Sequence, residues 1–189
     1  ILLWCEQGLG DSIQFCRFAT MVAARGATVL LWVHSALETL MRSLKGVARI
    51  LHKGQQVPVT DYHCPLLSLP LALDIGLASI PAEPAYLHAD PERIATWSAR
   101  LGPRQRPRVG LVWSGNPSHK NDRYRSIPLE IFARFAAGPF DFVCLQKEIR
   151  AADRPVLQQR PDIRVFCDAL EDFDDTAALI QHMDVVISV

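Results

Sequence analysis

Residues 1–33 read ILLWCEQGLG DSIQFCRFAT MVAARGATVL LWV. Residues 1–5 form a short apolar run of strand type, and residues 11–25 repeat small and apolar side chains at helical spacing, with Ile13, Cys16, Ala19 or Thr20 and Ala23 on one face. Gly26 stands where a helix C-cap needs a residue that tolerates left-handed backbone, and residues 27–33 read as a second buried strand. Strand, helix and strand in this order predict a crossover unit, and therefore α/β layering about a parallel sheet.

Working outward, the alternation continues. Residues 36–43 predict a second helix and residues 47–51 a third strand; a proline-punctuated region follows, with a short strand at 62–65, a helical turn or two at 67–73 and a loop through Pro81, Pro84 and Pro91. Residues 89–101 predict a helix opened by Asp90-Pro91-Glu92, since Asp suits an N-cap and Pro the first helical position. The stretch Gly102-Pro103-Arg104-Gln105-Arg106-Pro107-Arg108 is basic and twice interrupted by proline. It is read as the domain boundary, with a first domain at 1–102, a linker at 103–108 and a second domain at 109–189. Beyond it the pattern restarts, with strands at 109–113, 141–146, 163–167 and 184–189 and helices at 128–137, 151–159 and 176–183. The expected fold class is α/β, two Rossmann-like doubly wound domains in succession. The chain opens inside one apolar run, Ile1-Leu2-Leu3-Trp4, and stops inside another, Val185-Val186-Ile187-Ser188-Val189. It is therefore expected to be a piece of a longer polypeptide whose second domain is truncated after its fourth strand.

Composition excludes several classes. With 189 residues, 20 Lys+Arg against 20 Asp+Glu, 49% hydrophobic and 21% charged residues, the chain is no disordered tail, collagen repeat or strongly charged nucleic-acid or membrane-surface binder. The basic linker is too short to serve as a nucleic-acid patch. No apolar run approaches the ~20 residues of a membrane span and no leader opens the chain, so the cytoplasm is the expected compartment. Cys5, Cys16, Cys64, Cys144 and Cys167 are odd in number and widely spaced, which predicts buried free thiols rather than disulfides or a zinc knuckle. The histidines at 34, 52, 63, 88, 119 and 182 lack metal-ligand spacing, and no metal is expected. Trp4, Trp32 and Trp113 lie in strand runs and are assigned to the core. The acidic run Glu171-Asp172-Phe173-Asp174-Asp175 precedes an apolar helical pattern and reads as N-terminal charge and capping.

Ligands of doubly wound sheets sit at the carboxyl ends of the strands, which singles out two loops. Glu6-Gln7-Gly8-Leu9-Gly10-Asp11 follows the first strand: Gly8 and Gly10 suit a tight turn or close backbone approach to a ligand, and Asp11 either caps the helix or acts as a base. A dinucleotide site would need a third glycine where Ile13 stands and an acid ending the second strand, where the chain has Trp32-Val33-His34-Ser35. The second loop, Ser114-Gly115-Asn116-Pro117-Ser118-His119-Lys120-Asn121-Asp122-Arg123-Tyr124-Arg125, follows a buried strand and carries three cations. Lysine suits phosphate as a mobile point charge and arginine clamps anions. It is not a Walker loop, because Asn116 occupies the lysine position after Gly110 and Gly115. Ser114 lacks the flanking glycine pair of a hydrolase nucleophile. A solvated surface loop and a phosphate site remain equally open readings of these residues.

Four segments in order then resemble one family. They are residues 6–15; His63-Cys64-Pro65-Leu66-Leu67-Ser68-Leu69-Pro70; Val109-Gly110-Leu111-Val112-Trp113-Ser114-Gly115-Asn116-Pro117 with His119-Lys120-Asn121-Asp122; and Asp175-Thr176-Ala177-Ala178-Leu179-Ile180 through Asp184-Val185-Val186-Ile187-Ser188-Val189. Together they resemble the glycosyltransferase-like module found downstream of tetratricopeptide repeats in bacterial proteins, which is similar to the lipopolysaccharide heptosyltransferases and more remotely to the O-GlcNAc transferases. The resemblance implies a GT-B architecture, with the first domain on the acceptor side and the second binding a nucleotide-sugar donor across a cleft. It implies no metal or other cofactor, an acceptor that is a protein or a saccharide, and upstream repeats as partners.

By the same resemblance Gly10-Asp11 matches a Gly-Asp whose Asp is the proposed base, which takes the proton of an acceptor hydroxyl as it attacks the sugar carbon with inversion. Lys120 matches a donor-phosphate lysine that offsets charge on the departing diphosphate, and Asn116 and Arg123 stand in the same loop as further donor-phosphate candidates. In the family the last strand is followed by an Asp-Thr and a helix, which this chain ends before. Weak or absent activity of the piece is therefore expected. The alternative kept beside transfer is a non-catalytic scaffold or binding domain with a degenerate glycosyltransferase fold.

Overall fold

The computed structural model describes residues 1–189. The contacts divide the chain into two compact units, Ile1–Asp90 with Asp172–Asp174, and Pro91–Glu171 with Asp175–Val189.

In the first unit, β1 (Leu2–Trp4), β2 (Val29–Val33), β3 (Val47–His52) and β4 (His63–Pro65) form one sheet in the order β3-β2-β1-β4. Every pairing is parallel, with Leu3 opposite Leu31 on one side and Cys64 on the other. α1 (Leu9–Phe15), a 3-10 segment at Cys16–Phe18 and α2 (Ala19–Ala24) make up the first crossover. Its buried face runs through Ser12, Cys16, Ala19 and Val22, so the expected face through Ile13 and Ala23 is rotated slightly toward solvent. Gly26 ends it at φ 86°, the left-handed backbone that a C-cap requires. α3 (Glu38–Met41) follows β2 and α4 (Leu69–Ala72) follows β4. Leu3, Leu31, Val33, Leu37, Met41 and Leu66 are the centre of the core, each fully buried. Trp4 and Trp32, opposite each other across β1 and β2, are half-buried rather than core.

The second unit opens with α5 (Pro91–Leu101) and continues through β5 (Arg108–Val112), α6 (Leu129–Phe132), β6 (Asp141–Cys144), α7 (Arg154–Gln158), β7 (Ile163–Val165), α8 (Phe173–Ile180) and β8 (Val185–Ser188). Its sheet is again wholly parallel and runs β7-β6-β5-β8, the same order counted within the unit. The sequence reading assigns α5 to the first domain, whereas its contacts lie with the second unit. Trp97 is fully buried, donates from Nε1 to Asp175 at 3.0 Å and meets the Phe166 ring edge-on at 5.6 Å. The basic stretch after α5 is also tied in, as Arg108 donates to Gly102 O at 2.7 Å and Arg104 pairs with Asp184. Trp97, not singled out by strand pattern, is thus a core residue, and Trp113 is fully buried as expected.

α6 is shorter than the helix expected at 128–137. Arg160 donates to the carbonyls of Ala133 and Ala136 and takes over the acceptors that a longer helix would use itself, and Gly138 turns the chain at φ 120°. α8 starts at Phe173, three residues earlier than the helical pattern suggests, and the Asp172 carboxylate accepts the Asp174 N–H at 2.9 Å, as a cap does. β8 is an edge strand whose Val185, Val186 and Ile187 are 42–53% exposed, so this apolar run is not core.

The cysteines are all free thiols, but only Cys5, Cys16 and Cys144 are buried, while Cys64 and Cys167 are half-buried. Burial pushes the Cys16 and Cys144 thiols up to about 12. No helix is long and apolar enough to cross a membrane.

Candidate functional site

In the first unit the candidate residues gather where β1 ends. Gly8 is the N-cap of α1, and Asp11 in its first turn accepts the Gly8 N–H through Oδ2 at 3.1 Å. Ser12 N and Ser12 Oγ both donate to Gly8 O at 3.0 Å, so the turn is closed by its own residues. Neither Gly8 nor Gly10 has positive φ, and a Cβ on Gly8 would meet only Asp11 Oδ2 at 3.4 Å. The chain's own backbone therefore does not require these glycines. A Cβ on Gly10 would stand in open space, which leaves room for close approach of a ligand.

Glu6, within the quoted loop but not singled out, is the second acid here. Its Oε1 accepts the Leu67 N–H at 3.1 Å beyond the end of β4, and its buried Oε2 has no partner. Burial first and this carboxylate second raise the Cys64 thiol. His34, just past β2, closes the group with its Nε2 2.9 Å from Gln7 O.

In the second unit the loop after β5 is held by side chains from elsewhere. Gln146, buried past the end of β6, accepts two successive amides through Oε1, Trp113 N at 2.8 Å and Ser114 N at 2.9 Å. Its Nε2 donates to Ser114 Oγ at 2.9 Å and to Glu148 O at 3.1 Å. The Trp113 indole donates to Asp153 at 2.9 Å. Arg150 Nη2 reaches Gly115 O at 2.9 Å, both Asp122 oxygens at 2.8 Å and Ser126 Oγ at 3.0 Å. The Ser126 hydroxyl and then the Arg150 guanidinium hold the Asp122 carboxyl below the usual carboxylate range.

The three donor-phosphate candidates are all on this loop and all exposed. Asn116 Oδ1 accepts the Ser118 N–H at 2.9 Å, a local turn. Arg123 lies 4.5 Å over the Tyr124 ring and donates to its hydroxyl. Lys120 stands in solvent. Gln146, Arg150 and Asp153 escaped the sequence reading, although Gln146-Lys147-Glu148 has the signal that singled out the other loops, polar residues directly after a buried strand.

No group of three or more His, Cys, Asp or Glu side chains is placed to hold a metal ion. An apolar recess of about 470 Å³ in the first unit is lined by Phe15, Phe18, Ile75, Leu77 and Ile80 with Gln14 and Arg17, and none of the singled-out residues lines it.

Two parallel four-stranded sheets with covering helices, each ordered 3-2-1-4 within its unit, make this a Rossmann-like α/β chain. The solved structure of E. coli ADP-heptose lipopolysaccharide heptosyltransferase II matches 99% of this chain and 78% of its own, at a TM-score of 0.61 and 10% sequence identity. A likeness at that identity establishes the fold and leaves the chemistry to the residues. No family model matches the sequence, and no curated protein matches it.

Proposed function

We propose that this chain is a glycosyltransferase module that moves a sugar from a nucleotide-sugar donor to an acceptor hydroxyl with inversion at the sugar carbon. One observation carries the reading: the acid and the lysine that such a reaction needs each follow the first strand of a unit, Asp11 in the first turn of the helix after β1 and Lys120 in the loop after β5, in two sheets of identical strand order. That is where doubly wound folds place ligands.

In this reading Asp11 accepts the proton of the acceptor hydroxyl, the acceptor oxygen forms a bond to the sugar carbon, and the bond from that carbon to the diphosphate breaks. Lys120, with Asn116 and Arg123, offsets the charge that collects on the departing diphosphate. The acceptor is a protein or saccharide hydroxyl, and tetratricopeptide repeats are the expected neighbours of the module.

Asp11→Asn separates chemistry from structure, because an asparagine oxygen still accepts the Gly8 N–H. Turnover should fall by about 10²–10⁴-fold while donor affinity and thermal midpoint stay where they are. Unchanged turnover removes Asp11 as the base. The scaffold reading has one observation in its favour, that Asp11 already serves as a cap to Gly8. Calorimetric titration with ADP, GDP and UDP sugars decides between them. The ADP sugar comes first because the structural neighbour is named for ADP-heptose. Heat with one of them, weakened by Lys120→Ala, supports transfer; no heat with any favours the scaffold.

A further inference from the structure

The loop at 114–127 contains one 3-10 turn, Asp122–Tyr124, and is otherwise irregular. Left to itself a polar segment of that length samples many conformations, and ordering it at the moment of binding costs affinity. One side chain from outside the loop meets it at three separated points. Arg150 belongs to the segment between β6 and α7, and its Nη2 contacts Gly115 near the start of the loop, Asp122 in the middle and Ser126 near the end. Ser126 Oγ reinforces the closure by donating to Asp122 Oδ1 at 2.7 Å and accepting Gly115 N at 3.0 Å.

The pair is partly screened from water, with the Arg150 and Asp122 side chains 29% and 16% exposed. Charge-assisted bonds of this kind hold geometry better than exposed ion pairs. Arg150 Nε is buried with no partner, so the guanidinium is held through its contacts to the loop. Two short lobes hang from the clamp: residues 116–121, with Asn116 and Lys120, and residues 123–125, with Arg123 and Arg125.

We propose that Arg150 is the positioning residue of this loop, fixing Asn116, Lys120 and Arg123 as one constellation for a nucleoside diphosphate without itself touching the ligand. The proposal rests on the reading of the loop as the donor-phosphate site, and its test separates the two.

Trypsin cuts after Lys120, Arg123 and Arg125, so the loop carries its own report of opening. Cleavage of a locally opened segment tracks its open population, and Arg150→Ala should raise the cleavage rate at these three sites about tenfold or more, with cleavage after Arg42 unchanged. A binding-competent loop that is populated less of the time lowers apparent affinity in proportion, so affinity for ADP, GDP or UDP should fall about tenfold in Arg150→Ala. Arg150→Lys, which keeps the charge, should recover part of both effects. Asp122→Asn is near-isosteric and should give the same direction of change if Arg150→Ala fails to fold.

Loop cleavage that stays at the wild-type rate in Arg150→Ala and Asp122→Asn overturns the clamp. So does an affinity loss without faster cleavage, which would make Arg150 a ligand contact. If the unaltered chain binds none of the three nucleotides, the donor reading falls and the cleavage rates decide the clamp alone.

Discussion

Between β1 and α1 the chain takes only residues 5–8; between β5 and α6, the same step of the same topology, it takes residues 113–128. The short connection runs straight into a helix turn closed by Gly8, Asp11 and Ser12, with one long-range contact each at Glu6, to Leu67 N–H, and at Gln7, to His34. The long one is held from a distance, by Gln146, Arg150 and Asp153. The middle of the long loop bonds to itself through local turns such as His119 N–H to Asn116 O, while the segment after β6 supplies anchors at Trp113, Ser114, Gly115, Asp122 and Ser126. The first unit thus presents its acid on regular structure, and the second presents its bases on a suspended segment.

That contrast can be broken at its heaviest anchor. Trp113→Ala removes a fully buried indole and leaves buried Asp153 without its donor, and a loss of about 3–5 kcal/mol is expected. Hydrogen exchange read on β2 and β6 should show the loss in β6. Equal loss in β2 would mean that the two units share one cooperative core.

Gly46→Ala probes the opposite unit. Gly46 has φ 80°, and a Cβ there would stand 2.8 Å from Ala23 Cβ, so the turn into β3 must strain or shift. A cost of about 1–3 kcal/mol should appear in urea unfolding, with faster exchange in β2 and none in β6. A neutral effect would show that the turn relaxes freely.

Acid gives the smallest and most graded effect. Four carboxyls of the second unit are held low. Ser126 and then Arg150 lower Asp122, Arg160 lowers Asp162, and the Arg108 N–H and then Arg104 lower Asp184. At Asp175 burial acts upward but is outweighed by bonds from the Glu171 N–H and Trp97. A group whose folded pKa is depressed adds stability that is present above its unfolded value, about 3.9 for Asp, and lost as pH falls through the folded value. The second unit's thermal midpoint should therefore hold between pH 7 and about 5 and decline below about 4. A midpoint in that unit indifferent to acid would show that these contacts do not form.

Most of the elements were legible because they are written locally. The strand at β2 is an uninterrupted apolar run, Gly26 marks its helix end, and Asp90-Pro91 marks the start of α5. The unit that α5 joins was not legible, since it depends on Trp97 reaching Asp175, 78 residues away. The candidate site divides along the same line. Gly8 and Lys120 in loops, and Gly10 and Asp11 in the first turn of α1, lie in stretches that polarity and position pick out. Gln146 carries the same signal, a polar residue directly after a buried strand, whereas Arg150 and Asp153 become recognisable only when β6 lies beside β5 and brings one loop under another. Glu6 carries no distinguishing pattern in the sequence, and only its partnerless buried oxygen sets it apart.

The buried sulfurs give each half of the molecule its own chemical alarm. With their thiols pushed up to about 12, Cys16 in one unit and Cys144 in the other hold almost no reactive thiolate at neutral pH. An alkylating reagent can mark either position only after the surrounding layers part. The order in which the two marks arrive dates which half opens first, with no label added to the protein.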